Sequence, residues 1–160
     1  MIRKAMKSDL DTIYKIYDYA RNQMIKNGNP NQWTNGYPSQ SLLEDDIKKE
    51  CMYIFEENGK VHGAFVFIIG DEPTYKEIKN GKWHSNKTYG TIHRIASDGK
   101  IKQSLKKAVD FALNKIDYIR IDTHEDNKIM QHLVLKLSFK YCGIIYVDDG
   151  TPRLAYDLQK

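Results

Sequence analysis

Apolar residues along the chain switch between two spacings, alternate positions in some stretches and every third or fourth in others, and the switches mark the elements. Met1 to Ala5 reads as a short strand. Ser8 can accept from the first turn of a helix whose stripe is Leu10, Ile13, Tyr17, Ala20 and Met24, and Asn27-Gly28-Asn29-Pro30 stops it. Gln32 to Pro38 is aromatic and turn-rich, hence irregular, and Leu42 to Lys49 is a short helix. Met52–Glu56 and Val61–Ile69 flank Asn58-Gly59, a strong hairpin signal, and the second strand is apolar almost throughout, as expected where both faces are covered. Gly70 to Lys87 is a long polar excursion, a length that usually carries function.

The second half repeats the switch from strand to helix. Tyr89–Ala96 is a strand, Ser97-Asp98-Gly99-Lys100 a turn, and Ile101, Leu105, Ala108, Val109, Ala112, Leu113 and Ile116 one helical stripe. Tyr118–Thr123 alternates Ile119, Ile121 and Thr123 against Arg120 and Asp122, so Tyr89 to Thr123 forms a β-α-β unit with parallel strands and a right-handed crossover. At Glu125-Asp126-Asn127 the period changes again, and Ile129, Leu133 and Leu137 mark a helix. Lys140–Val147, the turn at Asp149-Gly150 and Arg153–Asp157 close the chain with two more strands.

Composition narrows the class. A chain of 160 residues, 41% hydrophobic, suits a single domain over 1–160. A formal charge of +4 from 25 basic and 21 acidic residues is too small and too dispersed to identify a nucleic-acid binder, although it favours an anionic small ligand. No apolar run approaches the roughly 18–20 residues of a membrane span, and Met1-Ile-Arg-Lys lacks the apolar core of a signal peptide, so no membrane partner and a cytoplasmic location are expected. Cys51 and Cys142 are isolated, without the paired spacing of a zinc or redox motif, so reduced thiols and no metal are expected.

The junction at Asn127, where a strand runs into a helix that ends in Leu137-Ser138-Phe139, resembles the signature of the GNAT superfamily of acyl-CoA N-acyltransferases, an asparagine, a helix and a Gly-Phe pair. The element order resembles that superfamily along nearly the whole chain. The resemblance implies an α/β (α+β) fold: one GNAT-like domain with a mixed, mostly antiparallel sheet, a splayed central parallel pair and helices on both faces. It implies transfer of an acetyl group from acetyl-CoA to a primary amine of a small molecule or peptide in a ternary complex. The alternative is a non-catalytic module on the same fold that binds a small ligand or partner protein.

Cofactor binding then falls to Ile95, Ala96, Ser97, Gly99, Lys100, Lys102, Gln103 and Ser104, where a helix start and lysines suit a pyrophosphate, together with Asn127 and His132. Gln103, Ser104 and Leu105 stand where the superfamily has glycines, Ser138 stands where it has the glycine before Phe139, and Val134 stands where many members carry a tyrosine acid. By the same resemblance Trp33 and Tyr37 are candidates for acceptor binding, and Tyr75 and Trp83 in the long excursion join them. His93 is the first candidate base, since an imidazole titrates near neutrality, with Glu72 and His124 beside it and Asp122 as a competitor. Arg94 and Asp122 also suit an ion pair across the parallel strands. The final strands offer an edge on which a second copy could pair.

Overall fold

In the computed structural model, which describes residues 1–160, the chain runs β1 (Ile2–Lys4), a one-turn 3-10 segment (Lys7–Asp9), α1 (Leu10–Lys26), α2 (Gln40–Lys48), β2 (Met52–Glu57) and β3 (Lys60–Ile69). A second 3-10 turn (Pro73–Tyr75) lies in the long connection. There follow β4 (Gly90–Ser97), α3 (Ser104–Leu113), β5 (Tyr118–Thr123), α4 (Lys128–Lys136), β6 (Lys140–Tyr146) and β7 (Pro152–Gln159). The sheet has seven strands in the order β1-β2-β3-β4-β5-β7-β6, antiparallel except for β4 beside β5. The mixed, mostly antiparallel α/β fold that the resemblance implies is present, and β7 inserts between β5 and β6.

Strand alternation sends successive side chains to opposite faces. One face carries Phe55, Phe65, Phe67, Ile92, Ile119 and Ile121 against Ile101 and the α3 stripe Leu105, Ala108, Val109 and Ala112, with Val134 of α4. The other face is divided. Ile13, Ile16 and Tyr17 of α1 and Leu43 of α2 cover Met52, Ile54, Ala64 and Val66, whereas Tyr75 from the 70–89 connection covers Tyr118, Cys142, Ile145 and Ala155. Full burial of each large apolar side chain contributes on the order of 1.5–3 kcal/mol, so two separate covers are anchored on one face and a seam lies between them.

The seam falls where β4 and β5 part. Their pairing is confined to Gly90 with Ile119 and Thr91 with Arg120. Beyond it β4 bulges, for Ala64 pairs with Ala96 while Val66 pairs with His93, so Arg94 and Ile95 together oppose Phe65. Arg94 takes φ +50° there. The extra residue brings Ile95 against the same cluster as Ile92 and sends the Arg94 side chain toward α2.

Three local expectations are corrected. Ser8 does not cap α1; the Asp9 carboxylate accepts from Met6 N at 2.7 Å and from the Arg3 guanidinium at 2.9 and 3.0 Å, an arrangement no hydroxyl could make. The α3 helix begins at Ser104, after the first stripe residue Ile101, and Asp98 Oδ1 holds Lys100 N in the turn before it. Arg94 and Asp122 are not paired: Arg94 grips Asp46 with Nε and Nη2 at 3.0 and 2.8 Å, and Asp122 accepts from Tyr75. No helix is long and apolar enough to cross a membrane.

Candidate active site

Two adjacent chambers follow the seam. The larger, about 530 Å³, is walled by Trp33 and Tyr37 on one side and by Glu72, His93 and Asp122 on the floor, with Asp148, Asp149 and Arg153 also lining it. The smaller, about 340 Å³, reaches Ser97, Gly99, Ser104 and Leu105 at the start of α3. Met24, Ile95, Asn127 and Met130 line both, so the chambers meet where β4 has left β5.

The floor of the larger chamber gathers side chains from three strands or their ends. His93 Nε2 stands 4.0 Å from Glu72 Oε1, and Tyr75 Oη donates to Asp122 Oδ2 at 2.5 Å. Glu72 also accepts from Thr74 Oγ1 at 2.9 Å. Neither carboxylate has a Lys or Arg within ion-pair distance. Burial, with the neighbouring Arg94 charge adding to it, pushes the His93 imidazole down to about 3, so it is neutral at neutral pH. Burial raises the Asp122 carboxyl, against the opposing pull of the Tyr75 hydrogen bond and the nearby Arg153 charge.

The walls are held by polar contacts between elements. Gln32 Oε1 accepts from Asn29 Nδ2, Asn127 Nδ2 and Thr123 Oγ1 at 3.0, 3.0 and 3.3 Å, and Arg153 Nη2 donates to the Gln32 carbonyl at 3.2 Å. The loop bearing Trp33 is thereby tied to β5, α4 and β7. Trp33 packs on Tyr17, with ring centroids 5.7 Å apart, and Tyr17 Oη donates to the Arg94 carbonyl at 2.5 Å, which holds the bulge. Tyr37 is 38% exposed and accepts from Arg94 Nη1 at 3.3 Å.

The smaller chamber ends on a helix N-terminus of the kind that suits an anion. No side chain caps the first amides of α3, and the residue before it, Gln103, is left-handed at φ +56°. Gly99, at φ +80°, lies against Tyr19, whose hydroxyl would meet a Cβ there at 2.9 Å. Asn29 Oδ1, in a residue 3% exposed that lines this chamber, has no donor.

The structure sorts the sequence candidates by place. His93 and Glu72 meet on the floor, Ile95, Ala96, Ser97, Gly99, Ser104 and Asn127 line the smaller chamber, and Trp33 and Tyr37 line the larger. Lys100, Lys102 and Gln103 are exposed on the turn beside the chamber rather than in its wall. Asn127 caps α4, accepting from Met130 N at 3.0 Å.

Four candidates lie elsewhere. His124 lines neither chamber, because its Nδ1 accepts from Asp126 N at 3.0 Å and this turns the ring into the β5–α4 turn. His132 is exposed on α4, outside both chambers. Tyr75 is 1% exposed and reaches the site only through its hydroxyl. Trp83 packs on Tyr75 and under the Arg120 guanidinium, 4.2 Å from its ring, away from the cleft. Val134, where a tyrosine acid was sought, is fully buried in the core. Met24, Met130, Gln32 and Arg153 were missed as wall residues; Met24 reads as helix stripe, Met130 falls outside the Ile129, Leu133 and Leu137 stripe, and nothing in the sequence links Gln32 to Asn127.

No family model matches the sequence, and no curated protein matches it. Among solved structures, an acetyltransferase of the GNAT family from Streptococcus agalactiae 2603 is 34% identical, with TM-score 0.87 over 100% of this chain and 95% of that one. A protein from Staphylococcus aureus MU50 is 26% identical, with TM-score 0.73 over 99% and 98% of the two chains. A GNAT-family acetyltransferase from Listeria monocytogenes 4b F2365, at 18% identity, shares the fold with TM-score 0.72 over 100% and 94%.

Proposed function

The chain belongs to the GNAT family of acetyltransferases, and on that basis we propose that it transfers an acetyl group from acetyl-CoA to a primary amine of a small molecule or peptide, bound together in the two chambers. The observation that carries this reading is the shared wall of Met24, Ile95, Asn127 and Met130, which joins an anion-suited helix start to an acidic, aromatic-sided floor through the gap between parallel strands. GNAT acetyltransferases use acetyl-CoA in general, and the residues here fit it. The uncapped α3 amides, with Lys100 and Lys102 beside them, suit a pyrophosphate. Asn29 Oδ1 offers an acceptor to an amide N–H. From Ile92 onward β4 has no partner on its β5 side, leaving main-chain groups to pair with an extended arm.

Bound there, the thioester supplies the acetyl group, and the chain's own residues do the rest. Glu72 and Asp122 attract the acceptor ammonium between them, and the Trp33 and Tyr37 rings flank it. The reaction needs the free amine, so a proton must leave nitrogen before or during attack. Asp122 accepts that proton, since burial raises its proton affinity, while Tyr75 Oη keeps the carboxylate oriented. His93, the first candidate on sequence, is instead a neutral hydrogen-bonding group: at about 3 its basicity is too low to hold a proton at neutral pH. Main-chain N–H groups of the bulge polarise the thioester carbonyl. A new C–N bond forms, the C–S bond breaks, and the leaving sulfur takes up the second proton that nitrogen gives up, so the products are the amide and the free thiol.

The test is thiol release from acetyl-CoA across a panel of alkyl amines, polyamines, amino acids and peptide N-termini, alongside a thermal shift with acetyl-CoA. Turnover on one class with a stabilising shift supports the reading. Background release throughout with no shift overturns it, and a shift without turnover on any amine supports the non-catalytic module instead.

A further inference from the structure

Away from the cleft, His84 of the 70–89 connection, Cys142 of β6 and Asp157 of β7 point their donor atoms at one another. The His84 Nδ1, Cys142 Sγ and Asp157 carboxylate oxygen all lie within 4.8 Å. Nδ1 is 2.7 Å from Asp157 Oδ1 and 3.3 Å from Sγ. Asp157 and Cys142 are 2% and 4% exposed, and the His84 side chain keeps 35% of its surface in solvent. Each donor comes from a different segment, which neither composition nor cysteine spacing could reveal.

We propose that these three side chains form a binding site for a zinc-class divalent cation that staples the 70–89 connection to the last two strands. The donor set is suited to it: one thiolate, one imidazole and one carboxylate select a borderline-soft ion over magnesium or calcium. The dimensions are close. Zinc bond lengths in tetrahedral geometry imply roughly 3.3 Å between N and O and roughly 3.6 Å between S and N, so from 2.7 and 3.3 Å these two edges open by about 0.6 and about 0.3 Å. An orienting shell is already built, because Asp157 Oδ2 accepts from Tyr118 Oη at 2.7 Å and from His84 N at 2.8 Å, which leaves Oδ1 to face the ion.

Asp157 has no Lys or Arg ion-pair partner, and Arg120 directs its donors to Tyr118 Oη and Ser85 O. On binding, Cys142 loses its thiol proton to solvent and the imidazole carries its proton on Nε2, freeing Nδ1 as a ligand. Water takes the fourth position from the solvent side of His84. The same connection carries Glu72 to the floor of the larger chamber and the Tyr75 hydroxyl to Asp122, so the staple steadies that floor.

The test is titration of the dialysed full chain with Co²⁺, followed by competition with Zn²⁺. The expected result is a sulfur-to-cobalt charge-transfer band that saturates at one equivalent, is displaced by Zn²⁺ and is accompanied by a rise in Tm. Cys51→Ser retains the band, Cys142→Ser and His84→Ala lose it, and Tyr118→Phe weakens binding about 10- to 100-fold, as loss of an outer-shell partner does. Metal-free circular dichroism melts report whether each variant is folded, and the exposed His84→Ala decides the matter should Cys142→Ser fail to fold. Absence of a band in the parent chain, its persistence in His84→Ala, or its loss in Cys51→Ser overturns the proposal. None of these readouts depends on acetyl transfer.

Discussion

At the scale of single residues, Gln103 and Ser138 stand where the GNAT resemblance implies glycine, and both keep left-handed backbone geometry. Ser138, in the position of the Gly-Phe glycine, is left-handed at φ +73°. It donates to Leu135 O while Phe139 N donates to Val134 O, both at 3.0 Å, which is the Schellman closure of α4. Gln103 does the same at φ +56° before α3. A left-handed L-residue costs roughly 1–2 kcal/mol, partly offset by the flexibility of glycine in the unfolded chain. Ser138→Gly and Gln103→Gly are each expected to stabilise by about 1 kcal/mol, a Tm rise of about 2–4 °C by calorimetry. Asp122 behaves in the opposite sense to a paired carboxylate. Its folded pKa lies above the unfolded value, so between the two the folded state holds more protons and stability falls as pH rises. Asp122→Asn is therefore expected to raise Tm at pH 7 and to leave it little changed below the unfolded pKa. Its kcat is expected to fall about 10²- to 10⁴-fold, with loss of the rising limb of the pH–rate profile that Asp122 ionisation sets. A variant that is both less stable and fully active would remove Asp122 from the mechanism.

At the scale of elements, the site depends on the bulge in β4 and on what grips it. Arg94 leaves the strand at the bulge and pairs twice with Asp46 of α2, both largely enclosed, with side chains 14% and 5% exposed. Removing one partner of such a pair strands the other charge and costs about 3–5 kcal/mol. Arg94→Ala is expected to show that loss in urea unfolding, and Arg94→Met combined with Asp46→Leu to recover much of it; equal losses in the single and double variants would show that the bulge does not depend on the pair. Most elements were legible in the sequence because their apolar periods are unambiguous. Asn58-Gly59 set the β2–β3 hairpin, and the alternation of Tyr118 to Thr123 set both faces of β5. The bulge was not legible. Nothing in Thr91-Ile92-His93-Arg94-Ile95 announces an extra residue, and strict alternation would put Arg94 on the face of Ile92, where no carboxylate waits. The site was read in part for the same reason. Local signals found the α3 turn and Asn127, whereas the ties of Gln32 to Asn127 and of Arg94 to Asp46 join residues 95 and 48 positions apart in sequence that meet only in space.

At the scale of the whole molecule, one sheet face carries two independent covers, and the cleft exists because they do not meet. The connection 70–89 acts as a packed lid on the β5-β7-β6 half: Trp83 Nε1 donates to Tyr75 O at 2.9 Å, and the buried Arg120 guanidinium lies 4.0 Å from the Tyr89 ring centroid and 4.2 Å from that of Trp83. Aromatic residues therefore serve different ends on the two sides of the seam, although composition makes them look alike. Trp83→Ala removes a stacking partner from a desolvated cation and opens a cavity, at a cost of about 3 kcal/mol, or roughly 6–12 °C in Tm. It leaves the KM for the amine near that of the parent, since the ring lines neither chamber. Tyr37→Ala does the reverse. Its ring is partly exposed and faces the larger chamber, so Tm moves little while KM for the amine rises several-fold to about tenfold, the scale of a lost cation–π contact. Measuring both variants side by side separates a lid from a recognition wall. If Trp83→Ala raised KM as far as Tyr37→Ala while Tm held, acceptor recognition would extend onto the lid, and the division of the face into a structural half and a binding half would be wrong.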